Sequence, residues 1–238
     1  QELNIALSKQ KEEKQKLIEE NRKAKAQLTK ERKEQEALVA SIKRNLSTYT
    51  AQIRKKQQEV DRIDREIEKI IREAMATSNA KAGKSTTAKT FAMTPEEKNL
   101  AANFTANKGK LPWPVEEGVI KVRYGNQSSL IDKNVKINSK GVRIATNKGQ
   151  PVRAVFNGIV HTIMSSKNGE LAVLIQHGNY FTVYKKLTKL KVKKGDRVTT
   201  KQVIGEVITN RSSGESQLHF QVWKNGKPQN PASWVFKM

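Results

Sequence analysis

The sequence predicts an α+β multidomain chain: a long coiled-coil helix followed by a β-rich antiparallel domain. Three observations predict it. No glycine or proline occurs before Gly83, although the chain holds thirteen and six of them. Apolar residues early in the chain recur at alternating steps of three and four. From Leu111 onward, short runs rich in β-branched and aromatic residues alternate with turn residues. The expected boundaries are 1–76 for the arm, 77–110 for a linker with a short helix, and 111–238 for the β-rich domain.

In the arm, Ile42, Leu46, Tyr49 and Ile53, then Val60, Ile63, Ile67, Ile70 and Ala74, follow the heptad rule, with Lys56 filling the one gap. The intervening positions are mostly Lys, Arg, Glu and Gln, all good helix formers. Towards the start the seam is poorer: Leu17, Ala24, Leu28 and Leu38 are separated by Asn21, Glu31 and Gln35. A helix of about 75 residues would run about 110 Å. It cannot bury its seam alone, so it needs a second chain, a folded-back segment or another helix as partner. Asn45, Ser47, Thr48 and Thr50 are weak helix formers. The chain either passes through them as one helix or bends there.

Thr77–Thr90 is rich in Ser, Thr, Ala, Lys and Gly and reads as a flexible linker. Thr94 can then cap a helix, Pro95 suits its first position, and Glu96 and Glu97 favour its positive end. Lys108-Gly109 would end it, giving a helix over about Pro95–Asn107 with Leu100, Ala101 and Phe104 on its apolar face. That helix either docks on the next domain or acts as a movable plug.

Charge is unevenly spread. The net charge is +23, yet the first 80 residues hold 19 basic and 14 acidic side chains, leaving 27 and 9 for the rest. The excess sits on the β-rich domain and its linker. It suits a polyanion or an acidic partner: nucleic acid, anionic lipid, wall polymer or protein. No stacking platform or recognition helix accompanies it, so no nucleic-acid partner is expected. The absence of cysteine excludes disulfides and thiolate metal sites. No apolar run is long enough to span a membrane and no signal peptide is visible. The start at Gln1 suggests a processed or truncated piece.

Candidate strands are Gly118–Val122, Pro151–Val155, Gly158–Val160, Leu171–Ile175, Tyr180–Tyr184, Gln202–Gly205 and Leu218–Val222, a spacing that suits an antiparallel sheet or sandwich. Several segments carry a resemblance. Gly141-Val142-Arg143-Ile144-Ala145, Gly149–Val155 and Gly158–Val160 come first. Ile175–Tyr184, Val192–Val198, Gln202–Gly205, Leu218-His219-Phe220 and Asn230-Pro231 follow in order. Together they resemble a LytM (lysostaphin-like) zinc peptidase domain over about Leu111–Met238.

The resemblance implies a metal site that this chain has lost. An active member holds zinc through a His and an Asp in one stretch and the second His of a His-x-His pair. Here those positions fall on Ser139, Arg143 and His219. The partner of the pair is Gln217, and a further family histidine falls on Lys186. One histidine cannot hold catalytic zinc, and a guanidinium repels a dication. No cofactor and no enzymatic activity are therefore expected. His161 and His177 match no ligand position.

A coiled-coil arm, a linker and a degenerate LytM domain together resemble the EnvC-like activators of cell-wall amidases. That resemblance implies a periplasmic or extracytoplasmic, non-catalytic protein acting in cell division. Its groove would bind the amidase, its coil would reach a membrane-embedded division complex, and peptidoglycan is a further ligand. The groove residues expected are Ser139, Lys140, Arg143, Tyr184, Lys186, Gln217 and His219. The helix near Pro95–Asn107, or the linker before it, is expected to block the groove at rest. Alternatives are a peptidoglycan-binding structural protein and a zinc metallopeptidase with unusual ligands.

Overall fold

The structure, a computed structural model, describes residues 2–129, 133–166, 169–210 and 213–238, with side chains from Lys11 onward. Helix α1 (Glu2–Lys81) passes through Asn45–Thr50 without a break. There the Thr48 hydroxyl donates to the Arg44 carbonyl, so it does not compete with the helix. Contacts divide the chain into two units, one ending at Lys55 and the other holding Lys56–Ser129 and Lys133–Met238.

In the first unit the helix is dressed by i,i+4 pairs such as Arg32–Glu36 and Gln27–Glu31. Leu17, Leu28, Leu38, Ile42, Leu46 and Tyr49 stand exposed along it.

The second unit opens with the last turns of α1 and continues into the β domain. The strands are β1 (Val119–Val122), β2 (Gly125–Ser128), β3 (Lys136–Ser139), β4 (Val142–Ala145), β5 (Pro151–Arg153) and β6 (Gly158–Ser165). They continue as β7 (Leu171–His177), β8 (Tyr180–Thr188), β9 (Arg197–Val198), β10 (Val203–Val207), β11 (Gln217–Lys224) and β12 (Lys227–Gln229). All pairings between them are antiparallel among the described residues. The main sheet runs β1-β4-β11-β8-β7-β6-β9, with β10 and β12 attached beside it, while β2 and β3 form a separate hairpin. The antiparallel β-rich domain and the long helix before it are as the sequence predicts.

The sheet has apolar residues on both faces. One face forms the main core with Val142, Ile144, Val173, Tyr184, Leu218, Phe220 and Val222. The other carries Leu174, Phe181, Val183 and Trp223, and Ile67 and Ile71 of α1 and Phe91 pack on it. The late apolar seam of α1 is thus buried by its own chain's sheet rather than by a partner helix. Burying Ile67 and Ile71 fully stabilises this packing by roughly 1.5–3 kcal/mol each.

Helix α2 (Pro95–Ala106) has a complete capping box: the Glu97 amide donates to Thr94 Oγ1 at 3.2 Å, and the Thr94 amide donates to Glu97 Oε2 at 2.9 Å. Its buried Ala101 and Phe104 join the main core, so the helix docks structurally. Phe104 stacks on His177 at 4.9 Å and Tyr180 at 4.8 Å, with Trp234 tilted at 5.1 Å. Gly178 permits this approach: its φ is +68°, and a side chain there would strike the Glu97 carbonyl and Ala101.

The expected linker begins later and is more ordered than its composition suggests. Helix α1 continues to Lys81. Buried Asn79 then holds the returning segment: its Nδ2 donates to the Thr90 carbonyl at 3.0 Å, and its Oδ1 accepts the Ala92 amide at 2.6 Å. Phe91 inserts beside Phe181, ring centroids 5.8 Å apart.

Phe104→Ala should destabilise the β domain by about 3–5 kcal/mol in denaturant titrations. His177 supplies a pH test. Its Nδ1 lies 2.6 Å from the Asn157 carbonyl and its Nε2 2.9 Å from Thr182 Oγ1, and burial pushes its pKa down from 6.5 to about 4. Below pH 6.5 the unfolded chain takes up a proton that the folded chain refuses until about pH 4. Stability present above pH 6.5 is therefore lost as pH falls through that window, by about 3 kcal/mol. Between pH 7 and 4, His177→Gln should lose about that much less stability than the unaltered chain.

Candidate functional site

Three adjacent strands place Arg143, His219 and Lys185 in one row. Arg143 of β4 and Lys185 of β8 are the register partners of His219 on β11, on its two sides. Cross-strand partners share a face, and so do alternate residues of one strand, which adds Gln217 and Gln221. Two of the positions that the LytM resemblance assigns to metal ligands, Arg143 and His219, are thus side by side. The third, Ser139, ends β3 and is buried, its hydroxyl donating to the Gly141 carbonyl at 2.9 Å. Gly141 lies hard against β11; a side chain there would meet the Phe220 carbonyl and come within 2.6 Å of Gln221 Cγ.

Across this face lies the tail of α1. Asp64, 1% exposed, points into it. Its Oδ1 accepts from Lys185 Nζ at 2.6 Å and from Gln221 Nε2 at 2.8 Å. Gln221 Oε1 in turn accepts from Trp223 Nε1 at 2.9 Å, extending a buried polar chain. One turn later Glu68 accepts from Lys140 Nζ at 3.2 Å and from Arg72 Nη2 at 2.6 Å. Lys140 Nζ also sits 5.3 Å from the Trp223 ring centroid. Asp64, Ile67, Glu68 and Ile71 follow the i, i+3, i+4, i+7 pattern of one helix face. The apolar pair anchors the tail and the acidic pair meets the cations.

The remaining groove residues separate. Lys186, half-buried with φ +68°, helps line a cavity of about 260 Å³ with Arg62, Glu66, Ser165 and Glu170. Gln217 donates to Glu215 at 3.1 Å. Tyr184 corrects the expectation: it is fully buried on the opposite face, its hydroxyl accepting the Val155 amide at 2.9 Å and its ring 5.3 Å from Phe220. It therefore cannot touch a groove ligand. Helix α2 docks on the main core instead, so it is the tail of α1 that lies over the groove; of the segment before α2, Phe91 packs on the same face of the sheet.

Electrostatics follow from the burial. Burial drives the His219 pKa well down, and the charges of Lys185, Arg143 and Lys186 drive it further, so the imidazole is neutral at physiological pH. Burial also lowers the pKa values of Lys185 and Arg143, and the Asp64 charge works against that in both. For Glu68, burial raises the pKa, but hydrogen bonds and charge from Lys140 and Arg72 bring it below the ordinary value. Arg143 Nε and His219 Nε2 are buried without a hydrogen-bond partner.

These residues do not fit a zinc ion. Of the three ligand positions only His219 offers a metal-binding atom of the usual kind. Arg143 and Lys185 place two positive charges beside it. No cluster of three or more metal-ligating side chains occurs among the described residues.

Sequence reasoning missed Asp64, Glu68, Lys185 and Gln221. The adjacent pair Ile70-Ile71 was the available signal: two apolar rows make a stripe wider than a coiled-coil seam, as a helix lying on a sheet requires.

Residues 137–231 match Peptidase family M23. The chain is 30% identical over 129 residues to the lipoprotein NlpD/LppB homolog of Pseudomonas aeruginosa, covering 53% of this chain and 40% of that protein. It is 32% identical over 129 residues to stage II sporulation protein Q of Bacillus subtilis, covering 51% and 42%. It is 37% identical over 92 residues to the peptidoglycan DD-endopeptidase ShyA of Vibrio cholerae, covering 38% and 21%. The chain thus spans less than half the length of these relatives.

Replacing Asp64 by Ala would strand Lys185 as an unpaired buried charge, which costs about 3–5 kcal/mol. The tail should then detach while the β domain stays folded. Hydrogen exchange should show lost protection across residues 60–78 and unchanged protection in β7, β8 and β11.

Proposed function

We propose that this chain, whose β domain is an M23 (LytM) domain with Ser139, Arg143 and His219 at its metal positions, is a non-catalytic activator of a cell-wall amidase. It would act in the cell envelope during division, on the periplasmic or outer side of the membrane. The observation that carries this reading is the groove itself. Its metal positions hold Ser139, Arg143 and His219, and an acidic, apolar helix face from the same chain lies across it. A groove that takes its own helix is suited to a helix from another protein.

In the proposed mechanism the tail of α1 keeps the groove closed at rest. A displacement of the arm, transmitted from a membrane-embedded division complex, lifts Asp64, Ile67 and Ile71 off the sheet. The inhibitory helix of the amidase then takes their place, which exposes the amidase active site. The apparent affinity for the amidase is scaled by the fraction of open groove, so loosening the tail raises activation.

The strong positive charge of the β domain favours a second reading, in which the domain holds anionic wall polymer and activates nothing. A single assay separates the two. The chain is added to purified wall and a cognate amidase, and wall hydrolysis is followed. Ile67→Asp with Ile71→Asp should raise activation about tenfold or more. Adding Arg143→Ala should remove that gain. Wall binding with no effect on any amidase of the same cell, even with the tail open, would replace the activator reading by the anchoring one.

A further inference from the structure

We propose that the row Arg143–His219–Lys185 is an oxyanion receptor for a carboxylate or phosphate group, with Asp64 as its resident internal ligand. This deepens the groove reading above and rests on it only for what a partner would bring to the site.

Three observations carry the proposal. The groove face holds Lys140, Arg143 and Lys185, and the tail of α1 meets Lys185 with Asp64 and Lys140 with Glu68. Glu68 is engaged by Lys140 and Arg72, and Asp64 Oδ1 by Lys185 and Gln221. Arg143 makes no direct ion pair with either carboxylate, and Asp64 acts on it through space alone.

The second observation is the pair of orphaned nitrogens. Arg143 Nε is buried without a partner, and so is Nε2 of His219, a residue 7% exposed. Leaving buried polar atoms unpaired is costly, and an anion beside both would relieve it. Guanidinium and ammonium are donors only, and the neutral imidazole donates through Nε2 in the tautomer that carries its proton there, so the set complements an oxyanion rather than a cation.

The third is that one oxyanion already sits there. The Asp64 carboxylate shows that a planar anionic group fits against Lys185 and Gln221 at 2.6 and 2.8 Å. A free anion needs the same donors but no helix. It should therefore compete with Asp64 and loosen the tail. An acidic side chain, a peptide C-terminus and a phosphate group share this chemistry.

The test uses the full chain and two probes, inorganic phosphate and acetate, titrated by calorimetry at constant ionic strength in chloride. Asp64→Asn keeps the side-chain shape but removes the internal charge. It should bind at least one probe one-to-one and about tenfold or more tighter than the unaltered chain. Arg143→Gln added to Asp64→Asn should abolish that site. A preference for acetate identifies a carboxylate receptor, and a preference for phosphate a phosphate receptor. Equal binding by the unaltered chain and Asp64→Asn, or binding indifferent to Arg143→Gln, would assign the anions to exposed lysines and overturn the proposal. In the unaltered chain, the preferred anion should raise hydrogen exchange across residues 60–78 above that in chloride; no rise would also overturn it. No amidase enters this test, so its failure and the failure of the activator reading are separate results.

Discussion

The second unit depends on one carboxylate. Asp64 is all but excluded from solvent and accepts hydrogen bonds from Lys185 and Gln221, so it joins the tail of α1 to two central strands at once. An ion pair this deep is poor evidence of net stability, because desolvating both charges offsets much of their attraction. Its effect is on specificity. Ile67 and Ile71 would adhere to many apolar surfaces, whereas Asp64 meets its donors only when the helix is in one register against β8 and β11. The charge sets the position and the isoleucines supply most of the adhesion.

The same carboxylate explains why a site without a set of metal ligands is nonetheless a structured one. Where the LytM resemblance implies His and Asp donors around a cation, this chain has Arg143 and Lys185 flanking His219. The electrostatic sign of the site is inverted, and the ligand is supplied by the polypeptide. Gly141 contributes to the inversion by letting the β3–β4 connection lie close on β11, which brings Lys140 over Trp223 and into reach of Glu68.

Much of this was legible in the sequence, and the failures have physical causes. The seven candidate strands correspond to β1, β5, β6, β7, β8, β10 and β11, because turn residues punctuate them. Helix α2 was legible from Thr94, Pro95 and Glu97 alone. Tyr184 is expected in the groove only through the resemblance; β8 is buried on both sides, so no alternation marks which face Tyr184 takes. The positive φ at Lys186 disturbs that alternation again. The partner of the late heptads was not legible either: a 3-4 spacing says that a helix face is apolar, not whether a helix or a sheet covers it. Asp64 was hidden for the same reason, since a carboxylate among heptads reads as a solvated position until a lysine from 121 residues away is found against it.

The Asn79 clasp and the docking of α2 have a kinetic consequence. The segment between Lys81 and Pro95 is short, and its far end is fixed in the core through Phe104. A detached tail therefore stays beside its groove at an effective concentration of roughly millimolar, set by the tether rather than by the amount of protein. Any competitor must outbid a ligand that never diffuses away. If a partner opens the groove as proposed, the tail is the first species to return when that partner leaves, and the groove resets without a second factor.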